Sequence, residues 1–338
     1  MTDAATPDQP DPHISTGRLP DIERVRQLLT EAHERYRHDD DGEVATYIPA
    51  LAEASPALFG AAIVGAAGNV VEVGDSRHPF SIQSVSKPFV FALVCEALGP
   101  DVARERIGVN STGLPFDSVM AVELNDQRTM NPMVNAGAIA TTSLVPGADA
   151  DERWDAVRHG LSRFAGRELA LDDDVYASEA ATNLRNQGIA HLLEGYGRMW
   201  SDPDEATDVY TRQCSLLVTA HDLAVMGATL ADGGVNPLTG ERVVSADTCR
   251  RVLAVLATAG LYERSGEWLY EIGLPGKSGV SGGIVTVAPG KGGLGTYSPR
   301  LDPAGNSVRG ARLTAEISRQ LGLDVFASAP IERSGADG

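Results

Sequence analysis

The pentapeptide Gln83-Ser84-Val85-Ser86-Lys87 begins a long apolar run that extends to Leu98. The run is too long for a strand, so we predict a buried helix over this segment. Ser84 and Lys87 have the S-x-x-K spacing, which places two side chains on one helix face about one turn apart. We therefore expect Ser84 to reach Lys87. Pro88 is compatible with the first helical turn, where its missing N–H group costs little.

The Ser84 and Lys87 pair favours nucleophilic catalysis. Burial in an apolar helix disfavours the charged form of a lysine, and a neutral amine can accept the proton of a serine hydroxyl. Backbone N–H groups at the start of the helix can stabilise a developing oxyanion. S-x-x-K by itself is common by chance. However, Lys277-Ser278-Gly279 opens a β-prone run late in the chain, where serine hydrolases that use S-x-x-K carry a K-T-G strand.

Periodicity divides the chain into an early sheet region, a helical middle and a late sheet region. We predict helices at residues 20–38, 151–164, 178–193, 219–230, 246–259 and 307–321, and strands at 58–73 (a hairpin around 66–69), 268–272, 279–288 and 293–297. Thr219 and Asp222 form a capping box, which fixes the start of their helix. Because the strands come from both ends of the chain, they should meet in one sheet, and the predicted fold class is α+β.

The length of 338 residues is suited to one large catalytic unit or to two interleaved lobes. We expect a catalytic domain at residues 19–325, with a helical lobe at roughly residues 100–260. Both ends are polar and interrupted by proline or glycine, so we predict disordered tails at residues 1–18 and 326–338. Neither tail should carry chemistry.

The net charge of −18 repels phosphate backbones and anionic membrane surfaces. The densest basic stretch, residues 242–251, is interrupted by Ser245 and Asp247, which is typical of a solvated helix face. No stretch approaches the roughly 20 apolar residues of a membrane helix, and the N-terminus lacks the pattern of a secretion signal. We therefore expect no nucleic-acid partner, no membrane association and a cytoplasmic location.

Cysteine and histidine spacing offers no metal or disulfide pattern. Cys95, Cys214 and Cys249 are odd in number and far apart, which fits reduced thiols. The seven histidines show no H-E-x-x-H or similar spacing. We expect neither a metal nor a cofactor.

Three glycine-rich motifs have other interpretations that their context argues against. Residues 279–283 fit the G-x-S-x-G nucleophile elbow with Ser281, but that elbow requires a following helix, and residues 284–287 continue as strand. Residues 290–295 fit G-x-G-x-x-G, yet residues 296–299 cannot begin the helix that would cradle a dinucleotide. Gly276-Lys277-Ser278 lacks the glycine at position 271 that a phosphate loop requires.

Longer segments give the chain a specific resemblance to a known family. They are Tyr47-Ile48-Pro49, residues 82–87, Asn131-Pro132-Met133-Val134-Asn135-Ala136-Gly137-Ala138, Ser178-Glu179 with Arg185-Asn186, Tyr210-Thr211-Arg212-Gln213-Cys214-Ser215, residues 276–283, and Gly305-Asn306-Ser307-Val308-Arg309-Gly310. Over residues 22–323 the chain resembles the bacterial-type glutaminases, serine-dependent relatives of β-lactamases and penicillin-binding proteins. The resemblance implies a β-lactamase/DD-peptidase-like fold with an antiparallel sheet flanked by helices, conversion of L-glutamine to L-glutamate and ammonia, and a homodimer or homotetramer.

The resemblance also implies roles for individual residues. Ser84 would attack the side-chain amide and Lys87 would take its proton, with the backbone N–H groups of Ser84 and Val280 forming the oxyanion hole. The residues expected to line the pocket are Asn135, Glu179, Asn186, Tyr210 and Tyr262. Tyr210 or Tyr262, together with Ser278, are candidates to carry a proton to the departing ammonia.

The chemistry of glutamine supports these roles. Its ammonium and carboxylate must both be paired when buried; Glu179 suits the ammonium, while Asn135 and Asn186 can donate to the carboxylate. Structural interpretations remain open as well. Asn135 could shape a turn, Glu179 could stabilise a helix N-terminus, and Tyr262 could cover the core.

One segment departs from the family pattern. The family commonly has Glu-Pro-Ser-Gly before a Phe-Asn-Ser, whereas this chain has Asn110-Ser111-Thr112-Gly113 and Phe116-Asp117-Ser118. Because none of the assigned residues lies there, we expect altered loop packing or subunit contacts and retained activity.

Two other functions stay open. A β-lactam-processing hydrolase would use the same Ser-Lys and Lys-Ser-Gly elements, and a non-catalytic module could bind an amino acid in the same pocket. Glu179 and the asparagine pair suit a small zwitterion better than a lactam, and the presence of both Ser84 and Lys87 favours turnover over simple binding.

Overall fold

A five-stranded antiparallel sheet built from both ends of the chain is the centre of the fold. The computed structural model describes residues 19–46, 48–125, 128 and 130–329. The strands are β1 (Glu43–Val44), β2 (Gly60–Gly65), β3 (Val70–Gly74), β4 (Phe80–Ser81), β5 (Leu217–Val218), β6 (Gly276–Ser278), β7 (Gly283–Ala288), β8 (Gly292–Tyr297) and β9 (Arg300–Leu301). The main sheet has the order β3-β2-β8-β7-β6, and the short pairs β1-β9 and β4-β5 are also antiparallel.

Helices occupy most of the chain between the early and late strands. They are α1 (Ile22–Tyr36), α2 (Lys87–Leu98), α3 (Pro100–Ile107), α4 (Met120–Glu123), α5 (Asn135–Ser143), α6 (Ala150–Ala165), α7 (Asp173–Ala180), α8 (Leu184–Gly195), α9 (Pro203–Cys214), α10 (Ala220–Ala231), α11 (Ala246–Ala259), α12 (Ser265–Ile272) and α13 (Val308–Leu321). Short 3₁₀ turns lie at Pro49–Glu53, Gln83–Ser86 and Tyr262–Arg264.

The meeting of early and late strands confirms the α+β prediction. β2 pairs with its hairpin partner β3 on one side and with β8 on the other, so Ala62 lies opposite both Glu72 and Gly295. The predicted hairpin turn connects β2 to β3. The capping box is also confirmed, since Thr219 accepts the Asp222 N–H at 3.1 Å and the Asp222 carboxylate accepts the Thr219 N–H at 2.8 Å.

Both faces of the central strand β2 are covered by helices. Ala61 and Ile63 belong to the apolar cluster that α1 and α13 form on one face. Ala62 and Val64 pack with residues of α10 on the other face. The alternation of side chains along a strand therefore places β2 between two helical layers, and the site described below lies at the β6 edge of this sheet.

The prediction of one helix at residues 178–193 is wrong, because the segment contains the end of α7 and most of α8. α7 begins earlier, where the Asp172 carboxylate accepts the Val175 N–H at 3.0 Å. The chain leaves the helix around Asn183, whose buried side chain donates to Thr211 on α9 at 3.1 Å. A side-chain contact between distant segments interrupts the helix, and sequence periodicity carries no signal of it.

The prediction of a strand at residues 268–272 is also wrong, because this segment is the end of α12. Trp268 and Ile272 are four residues apart and both buried, as expected for one helix face. The Trp268 indole donates to the Leu274 carbonyl at 2.8 Å. A run of five residues is too short for periodicity to separate a strand from a helix. The late strands themselves are confirmed, although a turn at residues 279–282 separates β6 from β7.

The glycines of β8 allow α10 to lie directly on the sheet. A Cβ atom on Gly293 would come within 2.4 Å of the Ala224 carbonyl oxygen, and one on Gly295 within 2.0 Å of the Ala220 carbonyl oxygen. Any side chain at these positions would push the helix away. This close approach explains the glycine-rich stretch at residues 290–295, which forms a β-hairpin turn and a strand.

Domain boundaries and tails stay predictions. The expected tail at residues 1–18 and residues 330–338 of the second tail lie outside the described residues, as does Tyr47. Within the described part of the chain, no helix is both long and apolar enough to cross a lipid bilayer.

Gly295→Ala should lower the free energy of unfolding by about 3 kcal/mol, because the added methyl group displaces α10 from the sheet. Urea unfolding of the purified variant measures this change. Gly188→Ala is the matched control: it lies on the exposed face of α8 with open space around it, and it should be neutral or stabilise by up to about 1 kcal/mol. Equal stability of Gly295→Ala and the wild type would contradict this account of the helix–sheet contact.

Candidate active site

Ser84 lies in a 3₁₀ turn that leads directly into α2. Its carbonyl accepts the Lys87 N–H, which closes the turn. Gln83, just before it, has a left-handed backbone with φ of 50°, a conformation that costs a non-glycine residue on the order of 1–3 kcal/mol. The predicted buried helix is confirmed, except that its first residues form a 3₁₀ turn and the α-helix begins at Lys87. Pro88 lies in the first turn of the α-helix.

Lys87 is completely buried beneath the Ser84 turn. Its Nζ donates to Asn135 Oδ1 at 2.7 Å and to the Met133 carbonyl at 3.3 Å. Burial lowers the pKa of Lys87 to about 8, although the nearby groups Cys214, Glu179 and Asp117 oppose this effect. Ser84 and Lys87 both belong to the described residues, and no hydrogen bond joins their side chains. The structure therefore does not contain the direct hydrogen bond that the S-x-x-K spacing allows.

Asn135, the first residue of α5, links three other candidate residues. Its Oδ1 accepts from Lys87 and, at 3.3 Å, from the Tyr210 hydroxyl. Its Nδ2 donates to Asn186 Oδ1 at 3.1 Å. Asn135 and Tyr210 are buried and Asn186 is half-buried. These contacts support a position for Asn135 in the pocket. Asn135 is the first residue of a helix, whereas the alternative that it only shapes a turn would place it in a turn.

Glu179 is a buried carboxylate facing the Ser84 turn. Burial raises its pKa to about 7, against the lowering effects of Gln83 and Lys87. Gln83 Nε2 donates to Glu179 Oε2 at 3.3 Å. Glu179 lies close to the C-terminal end of α7, so it does not stabilise the N-terminus of its own helix.

The late strand β6 lies directly against the Ser84 turn. A Cβ atom on Gly279 would be 3.0 Å from the Ile82 carbonyl oxygen and 3.1 Å from Val85 Cγ2. The S-x-x-K motif at Ser84 and the Lys277-Ser278-Gly279 motif therefore lie next to each other, as predicted. Among the described residues, the backbone N–H groups of Ser84 and Val280 donate to no acceptor, so both remain available to a ligand oxygen.

Tyr262 and Lys277 converge on the carbonyl of Ser278. The Tyr262 hydroxyl donates to this carbonyl at 3.2 Å, and Lys277 Nζ donates to it at 2.8 Å. Lys277 Nζ also lies 4.0 Å from the centre of the Tyr262 ring. Burial holds the pKa of Lys277 well below its usual value, and the charge of Lys87 adds to this effect.

The hydroxyl groups of Tyr262 and Ser278 have different surroundings. Burial raises the pKa of Tyr262 to about 12, while the neighbouring Ser84 side chain lowers it. The Ser278 hydroxyl donates to Asn306 Oδ1 at 2.6 Å. The Ser278 side chain also lowers the pKa of Tyr262, so the Tyr262 hydroxyl lies near the side chains of both Ser84 and Ser278.

The segment that departs from the family pattern contacts the site. The Phe116 carbonyl accepts the Asn135 N–H at 2.8 Å, and its ring lies 4.9 Å from that of Tyr262. Asp117 pairs with Arg185, with 3.0 Å between Asp117 Oδ2 and Arg185 Nε. Sequence reasoning missed these contacts because they join segments far apart in the chain. It also missed the role of Gln83, although this residue lies beside Ser84 in the motif.

Asp39, Asp40 and Asp41 form a group that is compact enough to hold a cation. Arg312 pairs with Asp39 and, at 2.7 Å, with Asp41. Since Arg312 already pairs with two of the three acids and two of the three are exposed, the cluster fits an ordinary surface ion-pair network.

Known proteins that are similar to this chain are glutaminases. The family model described as glutaminase matches residues 42–326. Glutaminase 2 of Yersinia pestis is 60% identical over 94% of both chains, and a glutaminase of Colwellia psychrerythraea is 49% identical over 89% of this chain and 97% of its own.

Solved structures of glutaminases have the same fold. A probable glutaminase, ybaS, superimposes with a TM-score of 0.90 at 46% identity, covering 91% of this chain and 100% of its own. The Bacillus subtilis glutaminase YbgJ, in a covalent complex with 5-oxo-L-norleucine, superimposes with a TM-score of 0.81 at 30% identity over 89% and 99% of the two chains. The β-lactamase-like fold class is thereby confirmed, and the chain belongs to the glutaminase family.

Proposed function

We propose that this glutaminase hydrolyses L-glutamine through an acyl-enzyme on Ser84, with Lys87 as the base. Ser84 Oγ forms a bond to the amide carbon, the carbon–nitrogen bond breaks, and the nitrogen leaves as ammonia. Water then attacks the ester, which releases glutamate and restores the serine hydroxyl. The observation that carries the proposal is the buried Lys87 amine next to the Ser84 turn, hydrogen-bonded to Asn135.

The hydrogen bonds of Lys87 suit a base. A neutral amine has two N–H groups and one lone pair. Two N–H groups are accounted for by Asn135 Oδ1 and the Met133 carbonyl, which leaves the lone pair for the proton of Ser84. The Ser84 hydroxyl forms its hydrogen bond to Lys87 when substrate binds, since catalytic hydrogen bonds often tighten only in the complex with substrate.

Two backbone N–H groups and one tyrosine complete the acylation machinery in this proposal. The unpaired N–H groups of Ser84 and Val280 stabilise the oxyanion, since donors aimed at developing charge lower the barrier. Tyr262 passes a proton to the departing nitrogen, because its hydroxyl is close enough to the Ser84 side chain to be affected by it. Tyr210 instead positions Asn135, to which it donates.

Glutamine recognition rests on Glu179 and the asparagine pair. The Glu179 carboxylate pairs with the substrate ammonium, and this pairing favours the charged form that burial disfavours. Asn186 keeps both N–H groups of its amide for the substrate carboxylate, because only its Oδ1 bonds to Asn135. A β-lactam carries no ammonium at this position, so the buried Glu179 favours glutamine as the substrate.

We also propose a homo-oligomer in the cytoplasm. The oligomer follows the family resemblance. A cytoplasmic location is consistent with Cys95, Cys214 and Cys249 being buried free thiols, because the cytoplasm keeps thiols reduced whereas an oxidising compartment favours disulfides.

Ser84→Ala should reduce ammonia release from glutamine by at least about 1,000-fold, because the variant lacks the nucleophile. A coupled ammonia assay with glutamine, asparagine and a chromogenic β-lactam measures turnover and selectivity together. Ser281→Ala is the matched control, since its buried hydroxyl has no hydrogen-bond partner among the described residues, and it should stay active. Turnover of the β-lactam but not of glutamine would contradict the proposed substrate.

The value of kcat/KM should rise between pH 6 and pH 9, because this range includes the pKa of about 7 for Glu179 and the pKa of about 8 for Lys87. Lys87 must lose its proton to act as a base, and Glu179 must lose its proton to pair with an ammonium, so both groups push activity in the same direction. The Glu179 charge raises the pKa of Lys87. Glu179→Gln should therefore shift the Lys87 limb of the profile to lower pH. A flat profile from pH 6 to 9 would exclude Lys87 as the titrating base.

Glu179→Gln should also raise KM for glutamine by about 10- to 100-fold, the range for losing one charged hydrogen bond. Steady-state kinetics at pH 9 separate this effect from the shifted pH profile. Glu194→Gln, at an exposed position on α8, should leave KM unchanged. An unchanged KM in Glu179→Gln would remove Glu179 from substrate recognition.

A further inference from the structure

Two residues of the site have left-handed backbones. Among the described residues other than glycine, this conformation occurs at Gln83 (φ 50°), Arg128 (φ 55°) and Tyr262 (φ 58°). Gln83 immediately precedes the nucleophile, and Tyr262 supplies the hydroxyl that faces it. Such conformations persist only where the surroundings hold them in place.

A buried serine three residues further along holds the carbonyl in each case. Ser86 Oγ donates to the Gln83 carbonyl at 2.7 Å, and Ser265 Oγ donates to the Tyr262 carbonyl at 2.7 Å. Ser86 is 0% exposed and Ser265 is 4% exposed. The two segments lie in different parts of the chain and make the same bond.

Each serine is itself held by an N–H donor. Gln213 Nε2 on α9 donates to Ser86 Oγ at 2.9 Å, and Thr142 on α5 donates to Gln213 Oε1 at 3.3 Å. The backbone N–H of Leu261 donates to Ser265 Oγ at 3.0 Å. A hydroxyl that donates once and accepts once in this way has a fixed orientation.

The Ser86 bond connects the helices that supply the pocket. Gln213 lies three residues after Tyr210 on α9, and Thr142 lies seven residues after Asn135 on α5, so each pair shares one helix face. Gln83, in turn, contacts Glu179. The nucleophile turn is therefore fixed relative to Glu179 by a buried hydrogen bond, and relative to Tyr210 and Asn135 by buried hydrogen bonds to the helices that carry them.

We infer that Ser86 and Ser265 are positioning residues, which we call the serine clamps, and that they hold the left-handed turns placing Ser84 Oγ and the Tyr262 hydroxyl for reaction. The inference rests on the proposed function. Without its clamp, the buried carbonyl of Gln83 or Tyr262 loses its hydroxyl donor, and Tyr262 keeps the weaker hold of the Ser265 backbone N–H. The turn then relaxes towards an ordinary backbone conformation. Ser84 or Tyr262 then moves, while Glu179 and Asn186, which make no hydrogen bond to either clamp serine, stay in place for glutamine.

The test compares Ser86→Ala and Ser265→Ala with Ser143→Ala. Ser143 is the matched control because it is 3% exposed, its Oγ donates to the carbonyl three residues earlier at 2.7 Å, and it accepts the Trp200 N–H. However, the residue that it holds, Ala140, lies in the regular helix α5. Each clamp variant should lower kcat by about 10- to 100-fold, the loss expected from small misplacement of reacting groups. KM should change less than about threefold, since binding groups are unaffected.

Melting temperature and glutamate affinity by calorimetry complete the comparison. If all three variants lose similar stability but only the clamp variants lose kcat, the positioning role of Ser86 and Ser265 is supported. Equal kcat in all three variants would overturn that role. A rise in KM with unchanged kcat would overturn it as well. If Ser86→Ala does not fold, Ser86→Cys keeps a side chain of similar size with a weaker donor, and a kcat equal to the wild type would overturn the Ser86 clamp. Wild-type protein that releases no ammonia from glutamine would instead contradict the proposed function.

Discussion

The burial of the Lys87 amine is the constraint on which the rest of the site depends. A lysine removed from water loses hydration that the protein must replace, and an unpartnered buried ammonium would cost several kcal/mol. Here the Asn135 amide and the Met133 carbonyl supply the partners, and the amine responds with a pKa of about 8. α5 must therefore approach α2 closely enough for Asn135 to reach Lys87. The same asparagine bonds to Asn186 and Tyr210, so satisfying the lysine also assembles the pocket.

The sheet brings the other half of the site to this lysine. β6 follows α12, almost two hundred residues after the Ser84 turn, yet Gly279 packs against Ile82 and Val85 at that turn. That contact requires the late strands to join the early hairpin in one sheet, with α10 flat against it. Glycine at positions 293 and 295 permits the close approach. A stretch that resembles a dinucleotide motif in sequence therefore has a packing role.

Strain and burial are concentrated where reactivity is expected. Gln83 and Tyr262 have backbones that are unfavourable for residues with side chains, and the buried groups Lys87, Lys277 and Glu179 all have pKa values moved towards their neutral forms. Each feature costs stability locally. They persist because the surrounding network of hydrogen bonds and apolar packing fixes the geometry, and the proposed mechanism requires a fixed geometry for two N–H groups and a neutral amine to act together.

The sequence by itself determined the fold class, the capping box at Thr219 and six of the thirteen helices in the described part of the chain (α1, α2, α6, α10, α11 and α13), since these depend on local spacing. It also predicted Ser84 and Lys87 as the proposed nucleophile and base, from two motifs in order. It also identified the glutaminase family through long matching segments. Only the tertiary structure decided that residues 178–193 form parts of two helices, that residues 268–272 are helical, and that Phe116 contacts Asn135 and Tyr262. It likewise decided that Lys87 bonds to Asn135, and that Ser86 and Ser265 hold left-handed turns. These features arise from contacts between segments distant in the chain, or from backbone conformations that burial enforces, and local residue patterns carry no record of either.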